Sequence, residues 1–417
     1  MNGGVTNPAI QEILLGASVV IGVIFLLALS LLFARARLIP VEALEVTVNE
    51  SLTIAANRGD KLLDILQSAG IGIPAACGGS GTCGLCRVHV DGEGAGQAQA
   101  TEKGVLSGAE RRAHLRLACQ TSVRGPCAVT VPSSFLGATG FDCRVVSNEM
   151  LAPLIRELVL ELPDDHKFSF RAGDFMQLTA PSYQLDFAAI KIADSFHDAW
   201  RIADWDSLKS SVDSQTTRAY SVACRTEDVR AKRLVFNIRL AVPPAGREKE
   251  IPPGKVSSWL FALEPDDDIL VSGPFGDFHV QPTQREKIFI GGGVGMAPMR
   301  AMIHEQITDG TTVPMQFFYG ARSAGDLFYV EEFDRLADEN KNFQWIPALS
   351  DPAPGDRWTG ETGFIHDTVR SFLMKHPAAD ECEYYLCGPP LMISAVLNVL
   401  ARLGVEPHMI HNDDFGA

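Results

Sequence analysis

The cysteines are the residues of this sequence whose types and spacing most clearly suggest chemistry. Cys77, Cys83 and Cys86 lie within a stretch of ten residues and Cys119 follows alone, which gives the pattern C-x5-C-x2-C-x32-C. Four thiolates can bind the two irons of a [2Fe-2S] cluster, and glycines between the first three let the backbone approach the sulfurs closely. The pattern therefore predicts a [2Fe-2S] site with these four cysteines as its ligands.

Zinc is the alternative occupant of such a site. Structural zinc sites usually combine two short pairs of the C-x2-C type, whereas here three thiols share one loop and the fourth is a singleton. The spacing therefore favours iron and sulfur over zinc. Cys127 and Cys143 are the alternatives to Cys119 as fourth ligand. We otherwise interpret Cys127, Cys143, Cys224 and Cys382 as small buried thiols.

The cysteine loop resembles that of plant-type ferredoxins, which carry C-x4-C-x2-C. It differs by one additional residue between the first two cysteines, which affects the loop geometry but not the number of ligands. The segment LACQT around Cys119 is similar to the ferredoxin segment that supplies the fourth ligand.

A second motif, RAYS, begins a strand predicted near the middle of the chain. It resembles the R-x-Y-S signature of the ferredoxin-NADP reductase superfamily. The resemblance implies that Tyr220 packs on a flavin ring, that Arg218 meets the pyrophosphate, and that Ser221 hydrogen-bonds near the reactive nitrogen of the ring. The chemistry is suitable, because an aromatic face suits a planar ring and a guanidinium suits a diphosphate.

Two further matches in the same order strengthen the flavin prediction. Gly254 and Ser257 belong to a G-x-x-S segment, which resembles the superfamily's helix start, where backbone N–H groups and a hydroxyl can receive phosphate oxygens. The turn GPFG at 273–276 then matches the one that usually closes the barrel of that superfamily. We therefore expect FAD as a cofactor.

A glycine turn after a predicted strand at 288–290 marks a dinucleotide site. Its sequence, GGGVGMAP, resembles the superfamily variant G-G-x-G-x-x-P, in which a pyrophosphate approaches bare backbone at a helix N-terminus. The alternative is a simple tight connection between a strand and a helix. The expected contacts are Gly291, Gly292, Gly293, Gly295 and Met296.

The motif CGPP at the carboxyl end of a later predicted strand is the second dinucleotide element. Ligands of open α/β sheets bind at such strand ends, so both elements are expected to face one crevice. In the reductase superfamily the thiol of this motif lies beside the nicotinamide. The resemblance therefore implies a catalytic role for Cys387, together with Ser221, and cofactor contacts for Cys387, Gly388 and Pro389.

Two residues leave alternatives open. Phe415 near the carboxyl terminus could lie over the flavin, as an aromatic ring often does in this superfamily, or it could simply pack as part of the tail. Arg322 could meet a 2′-phosphate, so the sequence alone does not decide between NADH and NADPH.

The elements that must position these motifs predict a multidomain chain. A hairpin, a helix, a glycine-rich loop and further strands indicate a β-grasp domain. Short strands separated by Gly, Pro and Asp then indicate an antiparallel β-barrel, and alternating strands and helices indicate a doubly wound α/β domain. The predicted boundaries are 1–40 for a membrane anchor helix, 41–137 for the [2Fe-2S] domain, 138–281 for the FAD barrel and 282–417 for the NADH domain.

The uncharged segment from Ile13 to Phe33 is long enough to cross a bilayer as one helix. A cleaved signal peptide is the alternative, but the segment exceeds a signal core and has no cationic region before it. Arg35 and Arg37 follow the segment and only Glu12 precedes it closely, so the rest of the chain is expected in the cytoplasm.

Composition excludes some classes of function. The net charge of −15, from 36 basic and 51 acidic residues, does not fit nucleic-acid binding. The odd number of clustered cysteines indicates metal binding in a reducing compartment and not a disulfide framework. No further metal site is predicted among the ten histidines.

Across nearly its whole length the chain resembles the F subunits of the sodium-translocating NADH:quinone oxidoreductases. The resemblance implies NADH oxidation through FAD to the cluster, and then electron transfer to partner membrane subunits and ubiquinone at the bacterial inner membrane. The alternative is the soluble reductase of a multicomponent oxygenase, which needs no anchor. The insertion at 182–217, with Trp200 and Trp205, is expected to be a partner contact or an ordinary surface excursion.

Overall fold

The first described element is a helix within the apolar N-terminal segment. The computed structural model describes residues 16–30, 43–75, 77–132, 135, 140–164, 169–353, 355 and 357–414. Residues 16–30 form helix α1, whose side chains are exposed. The expected span at 13–33 therefore lies partly outside the described residues. Within the described ranges, no helix has both the length and the apolar character needed to cross a membrane.

The next part of the chain is a five-stranded sheet in the order β2-β1-β5-β3-β4. β1 pairs antiparallel with β2 in a hairpin and parallel with β5, and α2 buries Leu62 and Leu66 completely in the core beside the sheet. This is the arrangement expected of a β-grasp domain. Its elements are β1 (Ala43–Val48), β2 (Leu52–Asn57), α2 (Leu62–Ser68), β3 (Arg87–Asp91), α3 (Ala100–Val105), α4 (Gly108–Arg112), β4 (Leu115–Leu117) and β5 (Cys127–Thr130).

A six-stranded antiparallel sheet follows in the order β11-β8-β13-β6-β7-β12. A bridge between Val222 and Phe236 joins the two outer strands, so the sheet closes into a barrel. Its elements are β6 (Phe141–Ala152), β7 (Ile155–Glu161), β8 (Phe175–Ala180), β11 (Thr216–Ser221), α6 (Thr226–Arg230), β12 (Arg233–Arg239), α7 (Lys255–Ala262) and β13 (Asp268–Phe275).

The insertion between β8 and β11 packs as a small lobe with its own core. It contains β9 (Tyr183–Asp186), α5 (His197–Ile202) and β10 (Lys209–Val212), with β9 and β10 paired antiparallel. Trp200 is buried between Phe187 and Phe261, and its indole N–H donates to the Pro153 carbonyl at 2.7 Å. Trp200 therefore serves the packing of the insertion.

The last domain is a parallel sheet in the order β17-β16-β15-β14-β18-β19. The chain moves outward from β14 on one side and returns to the other side of β14 at β18, so a switch point lies between these two strands. Its elements are β14 (Lys287–Gly292), α8 (Met296–Thr308), β15 (Met315–Ala321), α9 (Val330–Glu339), β16 (Phe343–Leu349), β17 (Glu361–Thr362), α10 (Ile365–Leu373), β18 (Glu383–Gly388), α11 (Pro390–Arg402) and β19 (Ile410–Asp414).

Contacts between the domains are both aromatic and polar. Phe135 of the first domain packs edge-on against Phe275 of the barrel, with ring centroids 6.0 Å apart. Within the α/β domain, the Arg300 guanidinium on α8 lies 4.1 Å from the centroid of the Tyr329 ring. Arg300 also donates to the Ala223 carbonyl at 2.9 Å, which ties the α/β domain to the barrel.

Candidate cofactor and electron-transfer site

The four predicted ligand cysteines converge at one end of the first domain. The Cys77 thiol hydrogen-bonds with those of Cys83 and Cys119, and the Cys86 thiol hydrogen-bonds with that of Cys119. The structure therefore brings the four predicted ligands together at one place.

Hydrogen bonds between these thiols shift their pKa values in opposite directions. The hydrogen bond with Cys119, followed by that with Cys83, lowers the pKa of Cys77 well below its usual range. The same contact with Cys77 raises the pKa of Cys119. Such a donor set releases its protons together when a metal binds, because the ligands must be thiolates.

Glycine is required at two positions of the cysteine loop. Gly78 has φ of +61°, and a Cβ atom there would lie 2.3 Å from the Arg218 guanidinium of the barrel. Gly84 has φ of +71°, and its Cβ would lie 2.7 Å from Val105 on α3. The positive φ makes a larger residue strained at both positions, and at Gly84 the Val105 methyl group adds a steric clash. The contact at Gly78 also places the cysteine loop directly against the RAYS strand.

Gln120 is a residue of this site that the sequence reasoning missed. Its side-chain amide donates to the Gly79 carbonyl at 2.8 Å and lies 3.5 Å from the Cys119 sulfur. The Thr101 hydroxyl on α3 donates to the amide oxygen of Gln120 at 2.9 Å, which fixes the orientation of the amide. The sequence signal that could have identified Gln120 is its position directly after Cys119.

A buried ion pair that the sequence reasoning also missed holds the strand leading to Cys119. Glu102 is completely buried and accepts hydrogen bonds from the Arg116 guanidinium at 2.9 Å and from the Leu117 N–H at 3.1 Å. Burial raises the pKa of Glu102, but the Arg116 guanidinium and the backbone N–H groups of Gln99 and Leu117 outweigh it and leave the pKa lowered.

A cavity of about 630 Å³ lies where the three domains meet. Its volume is within the range usual for ligand and cofactor sites. The walls come from the cysteine loop, the RAYS strand, the start of α7, the glycine turn after β14 and the CGPP motif. The predicted site residues in the walls are Cys77, Cys83, Arg218, Tyr220, Ser221, Gly254, Ser257, Gly292, Gly293, Gly388 and Pro389.

The flavin side of this cavity contains polar groups suited to a bound cofactor. The Ser221 hydroxyl donates to the Asp413 carboxylate at 3.5 Å, and both residues line the cavity. Asn237 also lines it, and in the part of the chain that is described the buried amide oxygen of Asn237 has no hydrogen-bond partner. A donor group of a cofactor would satisfy this oxygen. The residues therefore fit FAD, and Asn237 is an addition to the predicted set.

Ser257 and Gly254 pack tightly at the start of α7. A Cβ atom at Gly254 would lie 2.4 Å from the Ser257 hydroxyl, which accepts a hydrogen bond from the Ala241 N–H at 3.2 Å. This close packing leaves the helix start facing the cavity, as the predicted phosphate contact requires.

The two dinucleotide motifs adjoin each other across β14 and β18. Gly291 pairs in register with Cys387, and a Cβ atom at Gly295 would lie 2.0 Å from the Cys387 carbonyl oxygen. Cys387 and Met296 are both fully buried in the core of the α/β domain and do not line the cavity. Gly291 and Gly295 support the turn from behind, whereas Gly292 and Gly293 line the cavity.

The remaining residues that the sequence singled out are Phe415 and Arg322. Phe415 lies outside the described residues, and Asp413 is the cavity residue nearest to it in sequence. Arg322 lies just after β15 and forms an ion pair with Asp351 at 3.3 Å, with both side chains largely exposed. The Asp351 N–H also donates to the Arg322 carbonyl at 2.8 Å.

Family models match two of the three domains. One described as "2Fe-2S iron-sulfur cluster binding domain" matches residues 46–124, and one described as "Oxidoreductase NAD-binding domain" matches residues 289–398. A cytochrome P450 reductase of Amycolatopsis is similar in structure, with TM-score 0.60 and 25% identity over 89% of this chain and 98% of that chain. The ferredoxin reductase in carbazole 1,9a-dioxygenase has the same fold, with TM-score 0.58 and 24% identity over 90% and 98% of the two chains.

Fold and site define a reductase that unites a [2Fe-2S] domain, a flavin-binding barrel and a nicotinamide-binding domain in one chain. Curated relatives specify the family. The F subunit of the Na(+)-translocating NADH-quinone reductase of Idiomarina loihiensis is 41% identical over 97% of this chain and 100% of the relative, and that of Serratia proteamaculans is 42% identical over the same shares. The F subunit of Psychrobacter cryohalolentis is 43% identical over 93% and 94%. The chain belongs to this family of F subunits.

Proposed function

We propose that this chain is the electron-input subunit of a sodium-pumping NADH:quinone oxidoreductase. It oxidises NADH, and its electrons pass through FAD and a [2Fe-2S] cluster to partner membrane subunits and ubiquinone. The observation that carries the proposal is the single cavity whose walls combine the cysteine loop, the RAYS strand and both dinucleotide motifs. Such a shared wall allows electrons to move between the sites without a separate carrier protein.

The cofactors supply the redox chemistry: when bound, FAD accepts two electrons from NADH and releases them one at a time to the cluster. The chain supplies the positions. Cys77, Cys83, Cys86 and Cys119 hold the cluster, and the contact between Gly78 and Arg218 keeps this loop against the flavin side of the cavity.

On the flavin side, Tyr220 supplies an aromatic face and Arg218 a cation for the diphosphate. Ser221, oriented by its hydrogen bond to Asp413, holds a hydroxyl proton at the cavity wall. Gly254 and Ser257 supply the helix start that receives phosphate oxygens.

On the nicotinamide side, Gly292, Gly293, Gly388 and Pro389 offer bare backbone to the dinucleotide, and Gly291, Gly295 and Met296 support them from the core. Cys387 stands directly behind this wall, in register with Gly291. We assign Ser221 the catalytic contact to the flavin ring, and we assign Cys387, which is buried behind the cavity wall, the role of positioning the backbone of Gly388 and Pro389 for the nicotinamide.

We further propose a single-pass anchor at 1–40 that places domains 41–137, 138–281 and 282–417 on the cytoplasmic side of a bacterial inner membrane. The uncharged sequence at 13–33, the exposed apolar helix at 16–30 and the arginines that follow support this orientation. Other membrane subunits of the complex are then the electron acceptors.

Anaerobic titration of the detergent-solubilised chain with NADH tests the proposed electron order. Absorbance of flavin and cluster is followed together with EPR, using C83S as the ligand variant and C143S as a matched control, because Cys143 is a buried thiol in the barrel. We expect bleaching of both cofactors and a reduced-cluster signal in wild type and C143S. In C83S the flavin still bleaches but the native cluster signal is lost. A native cluster signal in C83S would overturn the ligand assignment, and flavin that NADH does not reduce would overturn the function.

A further inference from the structure

The insertion between β8 and β11 contacts the helix whose start faces the cofactor cavity. Gly254 precedes this helix, α7, and the first turn follows with Lys255, Val256 and Ser257; all four residues line the cavity. The first N–H groups of a helix have no acceptor within the helix, so they are free to bind phosphate oxygens. The contacts that fix this turn therefore fix the donors offered to the cofactor.

One side of the turn is held by the segment that continues from β12. The Gly254 N–H donates to the Ala241 carbonyl at 2.8 Å, and the Ala241 N–H donates to the Ser257 hydroxyl at 3.2 Å. These two bonds involve Gly254 and Ser257, and neither reaches the peptide unit that joins Lys255 to Val256.

The insertion supplies the contact to that peptide unit. The Tyr183 hydroxyl on β9 donates to the Lys255 carbonyl. Because a carbonyl can only accept, the Tyr183 proton points to Lys255, and the Ser210 hydroxyl on β10 donates to the Tyr183 oxygen at 2.8 Å. A chain of two hydrogen bonds therefore runs from the insertion into the first turn of α7.

Aromatic packing joins the insertion to the other end of α7. Trp200 on α5 stacks on Phe261, with ring centroids 6.2 Å apart and an angle of 20° between the planes, and both side chains are buried. The Arg156 guanidinium lies 4.7 Å from the centroid of the same Phe261 ring and donates to the Lys191 carbonyl of the insertion. The insertion thus contacts both the first turn and the last turn of the helix.

Tyr183 acts on the turn without touching the cofactor site, since neither Tyr183 nor Ser210 lines the cavity. The Tyr183 ring packs against the core of the barrel, and burial raises the pKa of its hydroxyl, which therefore stays protonated at neutral pH. An O–H that donates to a carbonyl polarises the amide and makes the N–H of the same peptide unit a stronger donor. Here that N–H belongs to Val256.

We propose that Tyr183 is a positioning residue for FAD: its hydroxyl, held by Ser210, orients the Lys255 carbonyl so that the Val256 N–H binds a phosphate oxygen of the cofactor. The insertion then contributes to cofactor binding. The inference rests on the proposed phosphate contact of Gly254 and Ser257, and it adds a residue that lies outside the reductase motifs.

Flavin titration of the detergent-solubilised, flavin-depleted full chain tests the proposal. Fluorescence quenching gives Kd for FAD and for riboflavin, which has the same ring but no phosphate. In Y183F we expect FAD to bind about 3- to 10-fold more weakly, the effect of one hydrogen bond, while Kd for riboflavin is unchanged. Phosphorus NMR of the bound FAD should show a shifted pyrophosphate signal. S210A should weaken FAD binding by a smaller factor.

Y384F is the matched control for the loss of a tyrosine hydroxyl. The Tyr384 hydroxyl also donates to a backbone carbonyl, that of Ala379 at 2.5 Å, but in the α/β domain. Y384F should bind both flavins with wild-type affinity. Circular dichroism and cluster absorbance verify that each variant is folded.

Two results would overturn the role of Tyr183. One is wild-type FAD affinity in Y183F, and the other is an equal loss of affinity for FAD and riboflavin, which indicates a general effect on the barrel. S257A separates this inference from the proposed phosphate contact. An S257A chain that binds FAD like wild type contradicts the contact of Ser257, whereas weakened S257A with unchanged Y183F contradicts only the role of Tyr183.

Discussion

At the scale of single residues, Gln120 links the cluster ligands to the rest of the first domain. Its amide N–H lies 3.5 Å from the Cys119 sulfur. An N–H donor stabilises the more negative, reduced form of a cluster, so the variant Q120L should lower the reduction potential. We expect a shift of about 20 to 60 mV, equivalent to about 0.5 to 1.5 kcal/mol for one electron. Potentiometric EPR titration measures it.

T101V is the matched variant for this prediction. It removes only the hydroxyl that orients the Gln120 amide. We expect a smaller shift in the same direction. An unchanged potential in Q120L would show that the amide does not contribute to the properties of the cluster.

Asp351 is the residue that should set the preference for NADH over NADPH. Its ion pair with Arg322 neutralises the guanidinium that a 2′-phosphate would need, and its own charge repels that phosphate. D351A should therefore raise kcat/KM for NADPH by about tenfold, the value of one charge-assisted hydrogen bond. Steady-state kinetics with both nucleotides measure the effect.

Two further variants make the test specific. D338A removes an exposed carboxylate on α9 and should change neither nucleotide preference. In the double variant D351A/R322A the gain should disappear, since the receptor is then absent. A gain that survives in the double variant would exclude Arg322 as the receptor.

At the scale of elements, α3 braces the cysteine loop through the buried pair of Glu102 and Arg116. In E102Q the Arg116 guanidinium loses its carboxylate in a buried position, which costs about 3 to 5 kcal/mol. We expect faster loss of the cluster to a chelator, followed by its absorbance. E93Q, at an exposed position nearby, is the control and should lose its cluster at the wild-type rate. Equal rates in all three proteins would mean that the ion pair does not support the loop.

The sequence predicted elements and motifs where the signal is local. The spacing of Cys77, Cys83 and Cys86 is carried by one loop, and the glycine turn lies between a strand and a helix, so each could be recognised in a short window. Glu102 and Tyr183 could not be recognised in this way. Their partners lie at 116 and 255, and only the packed elements bring them together.

The burial of the predicted residues was also beyond the sequence. Met296 and Cys387 belong to cofactor motifs, yet both are inside the core of the α/β domain. Motif membership identifies the backbone that approaches a ligand, whereas the direction of each side chain depends on the neighbouring elements. Asn237 shows the converse, because nothing in its local sequence indicates that it lines the cavity.

At the scale of the whole molecule, a buried polar network holds the barrel against the α/β domain. Glu332 binds Arg300 at 2.7 Å and His304 at 2.8 Å, and Arg300 lies over Tyr329, whose hydroxyl bonds Glu157 of the barrel. Burial raises the pKa of Glu332, but Arg300 and His304 outweigh it and lower the pKa to about 2. The stabilisation is therefore present above the unfolded pKa of about 4.3 and is lost as pH falls toward 2.

E332Q should loosen this interface at neutral pH. It leaves the buried Arg300 without its carboxylate partner, which costs about 3 to 5 kcal/mol. We expect a lower thermal midpoint for flavin release, measured by flavin fluorescence. E331Q, at the exposed neighbouring position, is the control and should match wild type. A normal midpoint in E332Q would show that other contacts hold the two domains.

The position of the cysteine loop also affects how the cluster meets solvent. Cys77 and Cys83 line the cavity, Cys86 and Cys119 are buried, and Gly78 approaches the barrel at Arg218. A flavin held in this cavity would therefore shield the cluster from water and oxygen on the side that faces the barrel.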